Sequence, residues 1–287
     1  MSTPEIVLFI HGLYLSYHSW EGWVSRYESK GFKALAPGWP GMDGTVEQMR
    51  SDPAAVARIA SMQVEAVLDH YERIIRGLPS LPIIVGHSFG GTFMQVLVDR
   101  GLAAAGVGIA AGTVRGIRDL PLATIKSNWA MLRNPLARKK AIMMTPAQFN
   151  YGFTNSFKPD AAKVAYEKYA VPGARNVLFS VPFSQIRSGT QLKVDWKRPG
   201  RAPILFIAGG QDRVVPASVN WTNYKKYVKE NPSAVTAIRE YPERPHFTAA
   251  EEGWEAIADF ALDWALNPVA GVLTGDASSS TPSAVTV

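Results

Sequence analysis

Short apolar runs alternate with helical patterns along most of the chain. The apolar runs predict buried strands at 6–10, 33–36, 81–85, 106–111, 204–208 and 234–241. Apolar positions at helical spacing predict helices at 20–30, 53–77, 90–100, 217–229 and 253–266. Strands that alternate with helices are typical of an α/β fold with a mostly parallel sheet flanked by helices.

The longest of these patterns predicts one continuous helix over 53–77. Apolar residues recur there every three or four positions from Val56 to Ile75. Pro53 suits the first turn of a helix, and Gly77 suits the position just after its last turn.

The alternation stops between residues 112 and 201 and then resumes. The sequence therefore predicts a core formed by 1–112 and 201–266, with 113–200 as an inserted, mostly helical segment. Residues 267–287 are rich in Ser, Thr, Gly and Ala and contain no large aromatic side chain, so we expect a disordered tail there.

Composition narrows the classes of protein that are possible. The chain has 287 residues, 47% of them apolar and 19% charged, as expected for a globular protein with a large core. It has no cysteine, which excludes disulfides, thiolate metal sites and a cysteine nucleophile. No metal or cofactor site is expected. The amino terminus lacks a basic signal region and no window reaches the roughly 18 apolar residues of a membrane helix, so we expect a cytoplasmic protein without stable membrane insertion.

The strongest chemical signal is the motif Gly86-His87-Ser88-Phe89-Gly90-Gly91, which lies between a predicted strand and a predicted helix. A nucleophile on so sharp a turn adopts a strained backbone, and its neighbours must be small for the strand and helix to pass. The motif therefore predicts that Ser88 projects its hydroxyl from the carboxyl edge of the sheet as a nucleophile.

A serine hydroxyl needs a base, and the base needs an acid to orient it. His246 lies in the loop after the last predicted strand and is the expected base. Asp212 follows the strand at 204–208 in a glycine-rich turn and is the expected acid, with Asp119 as the reserve candidate. Glu243 is too close to His246 in sequence to be preferred.

Acyl transfer also requires donors for the developing oxyanion. The amide of Phe89, directly after the nucleophile, is one expected donor, and the amide of Leu13, after the first strand, is the other. Gly12 lets the backbone approach closely there, and His11 is expected to be a structural hydrogen-bonding residue.

These motifs resemble those of the α/β-hydrolase fold family from about residue 5 to 266. The resemblance rests on His11-Gly12, the elbow at Ser88, Asp212 with Val215-Pro216 behind it, and His246-Phe247, in the chain order Ser, Asp, His. It implies that the family's first strands are lacking here and that 113–200 corresponds to a helical lid. Arg244-Pro245 before the histidine departs from the small residues that are commoner there.

The resemblance implies a serine hydrolase that cleaves the carboxylic ester of a small or medium apolar molecule through an acyl-enzyme. A lactonase, a thioesterase, a cofactor-free haloperoxidase and a lyase on the same triad remain alternatives. A ligand-binding, receptor-like member with little turnover is the alternative of another class. The expected partner is a small-molecule substrate, and the oligomeric state is left open.

The helical segment is also strongly basic. Residues 113–200 carry 15 Lys and Arg against 4 Asp and Glu, within a chain of net charge +6 and pI 9.4. This charge either solvates helix faces or steers anionic substrates toward the pocket, and no recognised motif indicates nucleic-acid binding. The candidate pocket residues, which could equally form core, are Tyr14, His87, Trp129, Phe153, Phe183 and Val215.

Overall fold

The computed structural model of the protein describes residues 4–119, 121–129, 140–186, 189–274 and 283–285. The strands are β1 (Ile6–Ile10), β2 (Lys33–Leu35), β3 (Ile83–His87), β4 (Ala105–Ile109), β5 (Ala141–Ile142), β6 (Gly173–Ala174), β7 (Ile204–Gly209), β8 (Thr236–Tyr241), β9 (Gly271–Thr274) and β10 (Ser283–Val285). The α-helices are α1 (Glu21–Glu28), α2 (Val46–Ser51), α3 (Pro53–Ser61), α4 (Val64–Arg76), α5 (Phe89–Asp99), α6 (Leu122–Ser127), α7 (Pro146–Gly152), α8 (Pro159–Tyr169), α9 (Arg175–Ser184), α10 (Ala217–Glu230) and α11 (Trp254–Leu266).

The main sheet of the described residues has eight strands in the order β10-β9-β8-β7-β4-β3-β1-β2. Seven of them are parallel, and β10 runs antiparallel to β9 at one edge. In a parallel sheet all carboxyl ends meet at one edge, so the loops after β1, β3, β7 and β8 lie on the same side of the molecule. The predicted α/β fold, with a mostly parallel sheet flanked by helices, is confirmed.

Two apolar cores cover the two faces of this sheet. The side chains of β1 alternate between them: Val7 and Phe9 pack with α1 and α11, whereas Leu8 and Ile10 pack with α4, α5 and α10. Burial on both faces explains why the strands read as continuous apolar runs in the sequence. Within the described ranges, no helix combines the length and the apolar character needed to cross a membrane.

The prediction of one helix over 53–77 is wrong, because the structure contains two. The helix α3 ends at Ser61, Met62 is extended with ψ 137°, and α4 starts at Val64. At about 100° per residue, a continuous helix would place the buried side chains of Ile59 and Val64 about 140° apart. The break at Met62 brings both onto the core, and the side chain of Met62 is itself buried.

The carboxyl-terminal prediction is also wrong in part. Residues 271–274 form β9, which pairs with β8 through Ala237–Gly271 and Ile238–Val272, so this stretch is part of the sheet rather than a disordered tail. Leu273 is buried against the core. Residues 275–282 and 286–287 of the predicted tail lie outside the described residues.

Between β4 and β7 the chain leaves the sheet. Its described parts contain α6, α7, α8 and α9, together with a two-stranded antiparallel sheet of β5 and β6. The division into a core and an inserted segment at 113–200 stays a prediction. Within that segment, residues 120, 130–139 and 187–188 lie outside the described residues, and with them the basic residues Arg133, Arg138, Lys139 and Arg187.

Candidate active site

The residues singled out for chemistry lie in four loops at the carboxyl edge of the sheet. Leu13 follows β1, Ser88 follows β3, Asp212 follows β7 and His246 follows β8. Because these strands are parallel, their ends converge although the residues are far apart in sequence.

Ser88 occupies a strained turn between β3 and α5. Its φ of 56° and ψ of −117° lie outside the regions that most residues adopt. Its carbonyl oxygen accepts hydrogen bonds from the amides of Gly91, Thr92 and Gly112, which hold the turn in place. The flanking glycines are required by space, since a Cβ on Gly90 would lie 2.0 Å from the carbonyl oxygen of Ile10. The elbow geometry expected from the motif is therefore present.

Asp212 and His246, the expected acid and base, form a buried hydrogen-bonded pair. His246 Nδ1 donates to Asp212 Oδ2 at 2.8 Å, and both side chains are fully shielded from solvent. The second carboxylate oxygen of Asp212 accepts from the amides of Val214 at 2.7 Å and Val215 at 2.8 Å. The carboxylate is thus fixed on both sides, and it holds His246 in the tautomer whose Nε2 carries a lone pair. Nε2 itself has no hydrogen-bond partner among the residues that the structure describes.

Two glycines allow the loop that carries Asp212 to contact the loop that carries His246. A Cβ on Gly209 would lie 2.5 Å from the carbonyl oxygen of Arg244, and a Cβ on Gly210 would lie 2.4 Å from that of Pro242. The amide of Gly210 donates to Tyr241, and the amide of Gln211 donates to Arg244. The glycine-rich sequence before Asp212 therefore serves to bring the two loops into contact.

His87 is hydrogen-bonded to the loop that carries His246. Its Nε2 donates to the carbonyl oxygen of His246 at 2.8 Å, and the two rings lie 4.7 Å apart. Burial lowers the pKa of His87 well below its usual range, and the adjacent His246 acts in the same direction. His87 is therefore a neutral donor, a role that depends on a contact across 159 residues of sequence.

His11 has a comparable structural role in the loop after β1. Its Nδ1 donates to the carbonyl oxygen of Gly12 at 2.9 Å, and its Nε2 accepts from the amide of Trp39 at 3.1 Å. Burial lowers its pKa to about 4. Both ring nitrogens are engaged, which confirms the structural role expected for His11.

The two predicted oxyanion donors border the same space as Ser88. Leu13 and Phe89 both line the cavity at the nucleophile, and Phe89 starts α5. Neither amide donates to an acceptor within the described part of the chain. Gly12 allows this approach, because a Cβ there would lie 2.8 Å from Ser88 Cβ.

A cavity of about 310 Å³ opens at Ser88, within the range typical of small-molecule sites. Its lining is mainly apolar and comes from the sheet loops and from the segment between β4 and β7: Leu13, Tyr14, Phe89, Ile117, Phe153, Leu178, Val181, Pro182, Val214, Val215 and Val219. Polar groups also border it: Thr92, Thr113, Arg118, Asp119, Thr124, Asn128 and Gln185.

Of the candidate pocket residues, Tyr14, Phe153 and Val215 line this cavity. The other three do not: His87 is buried behind the loop of the base, Trp129 is 58% exposed, and Phe183 packs near Phe179. The structure thus contradicts a lining position for these three side chains. A helical segment presents different faces along its length, and the sequence does not say which face meets the cavity.

The remaining candidates take other places. Asp119 borders the cavity and accepts a hydrogen bond from the Thr222 hydroxyl at 3.1 Å, so it is not the partner of His246. Sequence reasoning missed the cavity side chains of α9, among them Leu178 and Val181. Their helical spacing with Pro182 and Gln185 was the available signal.

Comparison with known families and structures extends this picture. The profile of the family described as "Alpha/beta hydrolase family" matches residues 7–260. No curated protein matches the sequence.

Several solved structures share the fold. An extracellular alpha/beta-hydrolase from a Paenibacillus species is 17% identical, with a TM-score of 0.66 over 93% of this chain and 100% of that chain. A pyrethroid hydrolase from Sphingobium faniae JZ-2 is 18% identical, with a TM-score of 0.63 over 93% of this chain and 99% of that chain. Polyneuridine aldehyde esterase is 17% identical, with a TM-score of 0.62 over 91% and 98%. The profile match over residues 7–260, most of the chain, shows that the protein belongs to the alpha/beta hydrolase family.

Proposed function

We propose that the protein is a serine hydrolase that cleaves carboxylic esters of small or medium apolar molecules through an acyl-enzyme. The catalytic residues of this proposal are Ser88, Asp212 and His246, and the amides of Leu13 and Phe89 form the oxyanion hole. The proposal needs neither a metal nor a cofactor.

In the first half of the reaction, Ser88 Oγ attacks the ester carbonyl carbon while His246 Nε2 takes the hydroxyl proton. The carbonyl oxygen becomes an oxyanion and accepts hydrogen bonds from the amides of Leu13 and Phe89, which have no other acceptor among the described residues. The tetrahedral intermediate then expels the alcohol, which leaves with the proton from His246. Ser88 remains acylated.

In the second half, a water molecule attacks the acyl carbon and gives a proton to His246 Nε2. The intermediate collapses, the Ser88 oxygen leaves with that proton, and the carboxylic acid is released. Asp212 holds the ring through Nδ1 and stabilises the imidazolium that forms twice in the cycle.

The observation that carries the proposal is the state of His246. Its Nδ1 is bound to Asp212 at 2.8 Å, and its Nε2 is buried and free of any partner in the described residues. A histidine with this tautomer, at the same edge of the sheet as a serine at φ 56°, is arranged to accept a proton. We expect a hydrogen bond between Ser88 Oγ and His246 Nε2 to form when the substrate binds.

The cavity supports an apolar substrate. Its volume of about 310 Å³ and its mainly aliphatic and aromatic lining favour a compact molecule. Phe153 and the side chains of α9 belong to the segment at 113–200, which we propose acts as a lid over the site. The structural neighbours include an esterase and a pyrethroid hydrolase, which supports an ester hydrolase.

Labelling with a fluorophosphonate probe and a panel of 4-nitrophenyl esters of increasing chain length tests this function. We expect stoichiometric labelling of the native enzyme, no labelling of Ser88→Ala, and turnover that falls once the acyl chain exceeds the cavity. Lactones and thioesters of matched size extend the panel and separate the alternatives on the same triad.

A receptor-like protein would give a different result. Its native form and its Ser88→Ala variant would bind esters equally well. Ester turnover by the native form would be no faster than turnover by Ser88→Ala. That outcome, or labelling that persists without Ser88, would contradict the proposal. Thr113→Ser serves as a control, because its hydroxyl borders the cavity without a place in the proposed triad.

A further inference from the structure

Tyr14 is held at the boundary between the oxyanion loop and the cavity. It follows Leu13 directly and has a φ of 67°, which is a costly conformation for an aromatic residue. Its carbonyl oxygen accepts from the amide of Val171 at 2.9 Å. Its ring lies edge-on to Phe153 at 6.0 Å, and Phe153 lies edge-on to His246 at 4.8 Å. The residue is therefore fixed by contacts that extend to the proposed base.

The hydroxyl of this side chain has no partner. Tyr14 is 3% exposed and lines the cavity, yet its hydroxyl makes no hydrogen bond to any residue that the structure describes. Buried hydroxyls are nearly always hydrogen-bonded, so an orphaned one at a cavity wall indicates a missing ligand group. Burial also raises the pKa of Tyr14 far above its usual range, so the group remains a neutral donor.

Two other hydroxyls at the cavity lack partners as well, those of Thr92 and Thr124. A threonine within a helix can rotate to donate to the carbonyl oxygen one turn before it, which satisfies the hydroxyl locally. The Tyr14 hydroxyl stands at the end of a rigid ring and cannot reach its own backbone. Of the three hydroxyls, it is the one that cannot be satisfied within its own segment.

The rest of the cavity bears on the charge of that partner. Its lining is mainly apolar, Arg118 is exposed to solvent, and Asp119 is engaged by Thr222. Burial dominates the pKa of Tyr14, but the side chain of Arg175, which is 4% exposed, opposes it electrostatically, so the surroundings of the hydroxyl are compatible with a neutral or an anionic partner.

We infer that Tyr14 is a specificity-determining residue whose hydroxyl donates to a second oxygen of the substrate, apart from the ester that reacts at Ser88. This inference rests on the proposed function and names its substrate class: esters with a further oxygen acceptor, such as an ether, carbonyl or hydroxyl oxygen, in the acyl or the alcohol part. A site with a buried donor discriminates against a substrate that leaves the donor unpaired.

The test compares isosteric esters that differ by one oxygen. 4-Nitrophenyl methoxyacetate is paired with 4-nitrophenyl butyrate for the acyl part, and 2-methoxyethyl butyrate is paired with butyl butyrate for the alcohol part. The ratio of kcat/KM within each pair is measured for the native enzyme and for Tyr14→Phe. Intrinsic reactivity cancels between the two enzymes. We expect the ratio to fall by about tenfold in at least one pair, the size of one hydrogen bond.

Binding of the same esters is measured on Ser88→Ala and on Ser88→Ala/Tyr14→Phe, so the result does not depend on turnover. A change below about threefold in both pairs and in both measurements overturns the inference, since a hydrogen bond of ordinary strength exceeds it. Tyr227→Phe is the matched control: its hydroxyl is also buried without a partner in the described chain, but it does not line the cavity. Its ratios should equal those of the native enzyme.

The two proposals fail in different ways. Ester turnover that survives Ser88→Ala contradicts the proposed function. If turnover depends on Ser88 but the two esters of each pair respond equally to Tyr14→Phe, only the inference about the second oxygen is contradicted.

Discussion

Asp212→Asn tests how the triad is oriented, because it changes the hydrogen bonding while keeping the shape of the side chain. In the native protein, one carboxylate oxygen accepts from His246 Nδ1 at 2.8 Å, and the other accepts from the amides of Val214 and Val215. Asparagine has only one oxygen, so it must choose between these two sets of donors.

The geometry determines that choice. Turning the asparagine NH₂ toward Val214 and Val215 would leave two backbone donors unpaired in a buried site, at a cost of about 1–3 kcal/mol each. The oxygen therefore stays with the two amides, and the NH₂ group faces His246 Nδ1. Nδ1 must then accept, the ring proton moves to Nε2, and the base can no longer take the proton of Ser88.

We expect kcat/KM for a 4-nitrophenyl ester to fall by about 10⁴-fold, which corresponds to about 5 kcal/mol of transition-state stabilisation. The melting temperature should change little, because the hydrogen bonds that residue 212 accepts from the amides of Val214 and Val215 persist. Asp52→Asn is the control, because Asp52 is an exposed helix cap whose bond to Ala54 asparagine can also make. A variant Asp212→Asn that keeps more than about a tenth of the activity would refute the assigned acid, since loss of the correct tautomer is far more costly.

Three further predictions concern the surroundings of the site. His87→Leu should lower kcat/KM more than His87→Gln, because the glutamine amide can still donate to the His246 carbonyl; equal losses would argue against this positioning role. Burial lowers the pKa of His11 to about 4, so the unfolded chain binds a proton there before the folded chain does, and stability that is present above pH 6.5 is lost as the pH falls. Urea unfolding should show that the free energy of unfolding decreases by at least about 2 kcal/mol from pH 7.5 to 5. An unchanged free energy of unfolding would contradict the buried neutral state of His11. The ratio of kcat/KM for an anionic ester to that for its neutral analogue should show little dependence on salt, since the cavity lining is mainly apolar; a strong dependence would favour steering by the basic segment at 113–200.

The sequence was sufficient for six of the eight strands of the main sheet, and it indicated Asp212 and His246, which the structure brings together. Both faces of the sheet are covered, so β1, β3, β4 and β7 appear as unbroken apolar runs. The elbow at Ser88 was identifiable because its small neighbours are demanded by backbone contacts within a few ångströms. Asp212 and His246 were identifiable from their order in the chain and from their place after strands.

The features that the sequence did not reveal depend on contacts between distant parts of the chain. The break at Met62 arises because α3 and α4 turn their apolar sides to one core, and both halves separately satisfy the helical pattern. The strand β9 has little apolar periodicity of its own and is fixed by its pairing with β8.

The cavity was the least predictable part for the same reason. Phe183 and Leu178 both lie on α9, which packs against α3 and α4, and only this placement brings Leu178 to the cavity and leaves Phe183 away from it. His87 is adjacent to Ser88 in sequence, yet its side chain points to the His246 loop. The cytoplasmic location and the lid role of 113–200 stay predictions.

The most direct test of the central claim is the mass of the enzyme during turnover. The protein is mixed with a 4-nitrophenyl ester, quenched in acid within milliseconds, and measured intact before peptide mapping. The account predicts a mass increase equal to one acyl group, located on Ser88 and absent from Ser88→Ala. The same measurement is made on Asp212→Asn, under conditions that slow deacylation. Rapid hydrolysis by the native enzyme, with no acylated Ser88 in either protein, would contradict the account.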